Sequence, residues 1–261
     1  GFSIPLINQV IAQRSIKSDE EIDEICSALE VTNKIHQHAM KASKPNRFEY
    51  EIVAEMEEII KKHELSLAYP IIFSKDGQIL HNSVYHNKIK DGDLLLNDSG
   101  ANSKLKYASD ITRTFPANGK FTTKQREIYS IVQKMQDKVI ERLSPGVSFK
   151  EMHFLSAKIG LEGLKELGLI KGDVEDAMKK GAHGLFYPHG LGHMLGLDVH
   201  DMEALGEDFV GYNKKIKREV EFGIKFLRLG KELQKGFCIT VEPGIYFIPE
   251  LFNQWKEKKK L

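Results

Sequence analysis

The sequence predicts an α+β fold in which one unit is built twice. Helical stretches come in pairs ahead of short strand-like runs instead of alternating with them, the order of segregated helices and antiparallel sheet. The order helix, helix, strands then begins again at an offset of about 104 residues, from Asp19 to Thr123, as a repeat of element order more than of identical residues. At 261 residues the chain can bury a sizeable core.

The elements follow in sequence. Ser18-Asp19 is a cap signal, and Ile22, Ile25, Leu29, Ile35 and Met40 recur at roughly helical spacing, predicting a helix over 19–42. After Pro45, RFEYEIVAEMEEIIKKHEL has acidic residues early and Lys61 and Lys62 late, as the helix dipole favours, and predicts the second helix. LSLAYPIIF, GQILH, GDLLLNDSGA and LKYASDITRTF read as short strands, with Asn102-Ser103-Lys104 at a hairpin tip. The second round predicts a helix over 123–143, a break at Pro145-Gly146, a helix through SFKEMHFLSAKIGLEGLKELG, and then strands, GFCITVEPGIYFI being the first. Between them, residues 203–236 are long and charged and read as a solvated insertion with some helix.

Composition excludes several classes. Lys plus Arg number 38 against 37 Asp plus Glu, a formal charge of +1 without the basic excess of a phosphate-binding surface, so nucleic acid is not an expected partner. No run approaches the ~18 apolar residues of a membrane span. The opening GFSIPLINQVIAQR lacks the basic start and small-residue exit of a signal peptide. Cys26 and Cys238 are far apart and have no Cys-x-x-Cys spacing, which argues against a disulfide framework or a cysteine zinc site and for a reducing cytoplasm.

Chemistry-bearing residues gather in three places. Asp98 and Asp110 sit on consecutive predicted strands, and a hairpin would set them side by side, a costly arrangement for buried carboxylates unless a cation neutralises them. Taken alone, Asp98 also suits turn capping and Asp110 suits pairing with Arg113. The stretch HGLGHMLGLDVHD, His189 to Asp201, holds three histidines and two aspartates among glycines. His189 and His193 have the four-residue spacing of a helical zinc site. Gly190, Gly192 and Gly196 oppose a helix, and position 190 lacks a glutamate base, so this is not a zincin. An extended segment can still aim His193 inward while the glycines allow close backbone approach. Glu242, in TVEPGIY, ends an apolar run ahead of a Pro-Gly turn. Two Asp, one His and one Glu form a hard, oxygen-rich set suited to manganese, cobalt or zinc.

These residues carry a resemblance. NDSGA followed by YASDITRTFPANGKFT, PHGLGHMLGLDVHD and TVEPGIY, in that order, are similar to the aminopeptidase P and prolidase branch of the pita-bread metallopeptidases, over about residues 18 to 249. The resemblance implies two pseudo-symmetric halves, each a curved antiparallel sheet backed by helices, with a two-metal site between them. It implies that Asp98 binds one metal, Asp110 bridges both, and His193 and Glu242 hold the other. It also places His81, His189 and His200 as substrate-contacting histidines. Two divalent ions ~3.5–4 Å apart can share a water and lower its pKa toward neutrality, supplying a hydroxide to attack a peptide carbonyl. Glu242 would then shuttle a proton, His189 and His200 would stabilise the oxyanion, and His81 would line the proline pocket. The implied activity is removal of an N-terminal residue that precedes proline, by a cytoplasmic homodimer or larger oligomer. The alternatives are an Xaa-Pro dipeptidase and a non-catalytic pita-bread module that binds peptides or proteins.

The sequence departs from that pattern in three respects. Residues 1–17 resemble a linker leading out of a preceding domain, with 18–261 as the metallopeptidase domain, so the chain is expected to be a piece of a longer one. No Gly-x-Arg-x-Glu motif, the family's source of a fifth ligand, follows Glu242. The metal held by Asp98 and Asp110 alone is therefore expected to bind more weakly than the one held by His193 and Glu242, and the chain by itself is expected to have little activity. The Asp98-to-Asp110 spacing is also one residue longer than is usual in the family, the extra residue falling at the hairpin tip.

Overall fold

The computed structural model describes residues 3–257. Helix α1 (Ile4–Ser15) lies within the stretch expected to be a linker, followed by α2 (Asp19–Ala42) and α3 (Glu49–Lys62). Strands β1 (Ser66–Leu67), β2 (Ile72–Ser74), β3 (Leu94–Ser99), β4 (Ala101–Asn102) and β5 (Ile111–Pro116) come next. Helices α4 (Thr123–Ile140) and α5 (Phe149–Glu166) open the second round, with short α6 (Val174–Lys179) and α7 (Glu207–Gly211) before the last helix, α8 (Pro249–Glu257). The chain forms two compact units. One combines the residues up to Ile16 with Gln125–Met194 and the residues from Met202 onward; the other comprises Lys17–Lys124 and Leu195–Asp201.

In the Lys17–Lys124 unit, α2 starts where the sequence places it because Ser18 and Glu21 form a reciprocal capping box. Its buried stripe, Ile25, Ala28, Val31, Thr32, Ile35, His36 and Ala39, follows the helical period, and Val31, Ile35 and Ala39 of it pack with Ile52, Val53, Met56 and Ile60 of α3. The sheet runs β2-β3-β5, all antiparallel, with Asp98 opposite Thr112 and Ser99 opposite Ile111; β1 pairs with β4 separately. Along β3 burial alternates, with Leu95, Asn97 and Ser99 buried and Leu94, Leu96 and Asp98 less so. The two-residue period of a strand thus separates Asp98 from the core-facing residues. Two predicted strands change here. GQILH is a turn over 77–81, and the strand expected within LKYASDITRTF begins only at Ile111, leaving an isolated bridge between Asn102 and Ala108 before it.

The other unit is built on α4 and α5, whose Met135, Val139, Phe149 and Leu161 are buried. Ile7 and Ile11 of α1 join the cluster around Phe149, Leu191 and Met194. Two expectations are corrected here. GFCITVEPGIYFI contains no regular strand; its neighbour is the glycine-broken 190–194 segment, and Pro243 removes a donor, so pairing reduces to one bridge between Met194 and Ile239 and a few flanking hydrogen bonds. Residues 203–236 are also more than a solvated insertion. Val210, Tyr212, Ile224, Leu227, Leu229 and Leu233 are buried, while Lys214, Lys215, Lys217, Glu221 and Lys225 between them are exposed.

Candidate metal centre

In the sheet-bearing unit, Asp98 near the end of β3 and Asp110 just before β5 converge on one phenol. Tyr69 Oη lies 2.5 Å from Asp98 Oδ1 and 2.6 Å from Asp110 Oδ1. A phenol carries a single proton and can donate to only one carboxylate at a time. Two carboxylates gathered on one donor are also a set of oxygens that a divalent ion can bind. Burial and the two aspartates raise the Tyr69 pKa well above its ordinary value, so the phenol stays protonated and donates. Behind this face, His36 is buried against β3: Asn97 Nδ2 meets its Nδ1 at 3.1 Å and Ser99 meets its Nε2 at 3.1 Å. Burial lowers its pKa to about 4, and the neutral ring with these partners fixes the strand that carries Asp98.

In the helical unit, the extended segment around His193 lies beside that of Glu242. Thr240 N–H donates to His193 carbonyl at 3.0 Å, and Glu242 N–H donates to Leu191 carbonyl at 2.8 Å. Gly192 permits this approach, because a Cβ there would come within 2.2 Å of the Thr240 carbonyl oxygen. His193 Nδ1 is 2.9 Å from the Met194 carbonyl, which only accepts, so Nδ1 carries a proton, and in the neutral ring Nε2 then presents a lone pair. Nε2 faces Glu242 Oε1 at 3.2 Å, an ion pair when the ring is protonated. With the ring neutral, the imidazole nitrogen and the carboxylate are two donors of the kind that hold a metal. Thr240 Oγ accepts the His193 N–H at 3.0 Å and donates to Glu242 Oε1 at 2.7 Å, holding both residues in register.

The remaining sequence-predicted residues fall in different settings. His189 donates from Nδ1 to the Gly190 carbonyl at 2.8 Å and stands edge-on between Tyr187 and Tyr246, at 4.9 and 5.3 Å between ring centroids. His200 is half-buried on Leu195–Asp201, in the same unit as the two aspartates. His81 is exposed on the 77–81 turn, in the left-handed conformation. Sequence reasoning missed Tyr69, Thr240 and His36, which reach the site residues or their strand through tertiary contacts and have no motif of their own.

The sequence profile of Metallopeptidase family M24 matches residues 23–258. The chain belongs to that family. Among M24 relatives it is 40% identical over 257 residues to an Xaa-Pro aminopeptidase of Haemophilus influenzae, covering 95% of this chain and 54% of that protein. It is 36% identical over 258 residues to an Xaa-Pro dipeptidase of Rattus norvegicus, covering 94% of this chain and 50% of the relative. Among solved structures, zinc-substituted Escherichia coli aminopeptidase P in complex with product superposes with a TM-score of 0.81 at 37% identity, covering 94% of this chain and 51% of that one. The M24 domain here therefore has the pita-bread α+β fold predicted for it, and the chain spans about half the length of these relatives.

Tyr69→Phe removes the proton shared by the carboxylates while keeping the ring. Outer partners of metal ligands typically contribute 10–100-fold to affinity. Divalent-ion affinity measured by isothermal titration is expected to fall by about tenfold with the fold unchanged, and an unaltered affinity would show that the phenol does not support the carboxylates.

Proposed function

We propose that this chain carries the metal site of a peptidase that removes an N-terminal residue preceding proline. The donor sets support this reading: two aspartates converging on one phenol, and an imidazole nitrogen directed at a glutamate, all within the stretch that the family profile matches. Asp98, Asp110, His193 and Glu242 would hold two divalent ions, with manganese the first choice and cobalt or zinc accepted by the same donors. When bound, such a pair supplies Lewis acidity and lowers the pKa of water toward neutrality. Thr240 donates to Glu242 Oε1, which orients the carboxylate, and Glu242 would accept a proton and return it to the leaving amine. His189 keeps its Nδ1 proton on the Gly190 carbonyl, so its Nε2 must be protonated to donate to a developing oxyanion. His200 and His81 would contact the substrate peptide, His81 at the proline.

The test is hydrolysis of an Xaa-Pro-Pro tripeptide and an Xaa-Pro dipeptide by the chain within its parent polypeptide, before and after chelation. Metal-dependent cleavage of both, with release of the first residue, is expected. Cleavage of the dipeptide alone would move the assignment to the dipeptidase, favoured by the 36%-identical relative, and peptide binding without cleavage would leave a binding module. Among the described residues no helix is long and apolar enough to cross a membrane; the compartment proposed for the enzyme is the cytoplasm, where Cys26 and Cys238 would stay reduced. The homodimer expected from the family is checked by light scattering.

A further inference from the structure

We infer that Lys17 is a positioning residue for His200, acting through a buried ion pair with Asp201; this rests on the proposed peptidase reading, in which His200 faces substrate. Lys17 immediately precedes the Ser18 cap of α2, and its Nζ donates to Asp201 Oδ2 at 2.9 Å, with both side chains only 1% exposed. An ion pair removed from water so completely costs desolvation that its attraction barely offsets, so it is weak evidence for stability and better evidence for fixing one arrangement.

That arrangement is traceable bond by bond. Leu195–Asp201 has no regular secondary structure, so its path depends on particular contacts. Asp201 Oδ1 accepts the Asp198 N–H at 3.4 Å, and Gly196 N–H donates to the Asp198 carbonyl at 3.1 Å. The Gly196 carbonyl in turn accepts Ala108 N–H at 2.8 Å, two residues before Asp110. At Gly196 a Cβ would sit 2.5 Å from Asp201 Oδ2 and 2.8 Å from Lys17 Cε, so the glycine leaves room for the pair. His200 is the residue next to Asp201, and its backbone is held wherever the pair holds Asp201. Lys17 acts through Asp201: it sets the segment on which His200 rides and that segment's bond to Ala108, in the stretch leading to Asp110.

A lone Lys17→Met would strand a buried carboxylate, and loss of folding there would be uninformative by itself. The deciding variant is Lys17→Met with Asp201→Leu, which keeps the bulk and removes both charges, a replacement that buried ion pairs often tolerate. Three readouts are followed in the parent polypeptide: amide exchange at Gly196 and Asp198, the His200 imidazole resonance (assigned by loss in His200→Gln), and kcat and KM on an Xaa-Pro peptide. The double variant is expected to melt near the parent temperature, exchange at Gly196 and Asp198 about tenfold faster, and shift the His200 resonance. A kcat loss of up to about 100-fold with little change in KM is expected from a displaced group. A folded double variant with unchanged exchange and an unchanged His200 resonance overturns the proposal. So does a double variant that unfolds, because the pair would then be structural. If the parent polypeptide hydrolyses no peptide, the peptidase reading fails, whereas exchange and the His200 resonance still decide whether the Lys17–Asp201 pair positions that segment.

Discussion

Glu242→Gln is expected to abolish hydrolysis, lowering kcat by about 10⁴-fold, the upper range for loss of a positioned acid–base group. The change is nearly isosteric and keeps an oxygen that can accept the Thr240 hydroxyl at the 2.7 Å position. It removes the negative charge that answers a cation beside His193 Nε2, now 3.2 Å from Glu242 Oε1, and it removes the group able to take and return a proton. Metal affinity should fall together with rate. If saturating manganese restores the parent rate, the charge was needed only to retain metal; if rate stays low with metal bound, the proton-transfer role holds. A variant with parent kcat and parent metal affinity would remove Glu242 from the centre. Circular dichroism should be unchanged, because Glu242 is only half-buried and belongs to no regular element.

The elements that were legible in the sequence are those in which local chemistry and packing agree. Ser18 and Glu21 cap α2 and its apolar stripe has one period, so the predicted 19–42 matches Asp19–Ala42. The carboxylates were legible because a hairpin register is fixed by pairing: Asp98 opposes Thr112, which brings the start of β5, and Asp110 just before it, back beside Asp98. GQILH was misread because alternation over five residues does not distinguish a strand from a turn, and His81, at φ 58°, takes the left-handed conformation of the latter. The 237–248 stretch has the composition of a strand but lies against a backbone broken by Gly190 and Gly192, so β-propensity had no ladder to enter. Tyr69, Thr240 and Lys17 were invisible for another reason. Each acts on a residue distant in sequence or on a neighbouring segment, through a contact that only tertiary structure creates, Lys17 reaching Asp201 across 184 positions.

Stability is expected to fall steeply as pH drops below about 6.5, because three histidines are buried in forms that resist protonation. Burial lowers His36 to about 4, His153 to about 3 and His183 to about 4. In the unfolded chain each returns to about 6.5. The folded values are the lower ones, so between about pH 4 and 6.5 the unfolded state binds more protons and stability rises with pH. The contribution is complete above about pH 6.5 and is lost as pH falls toward the folded values. With ~1.4 kcal/mol per pH unit for each group, the three together cost on the order of 5 kcal/mol between pH 7.5 and pH 5, comparable to the whole stability of many domains. Urea unfolding at a series of pH values measures it. The histidines are also separable by their surroundings. His153 is fully buried, its ring stacked on Tyr187 at 5.0 Å and its nitrogens without hydrogen-bond partners among the described residues, so His153→Phe should hold or raise stability at pH 7.5 while removing about one proton from the acid slope. His36 has Asn97 and Ser99 as partners, so the same replacement there strands buried polar groups and should destabilise at every pH. An acid slope identical in the parent and in His153→Phe would show that the loss arises from other groups, and the buried imidazoles would no longer account for it.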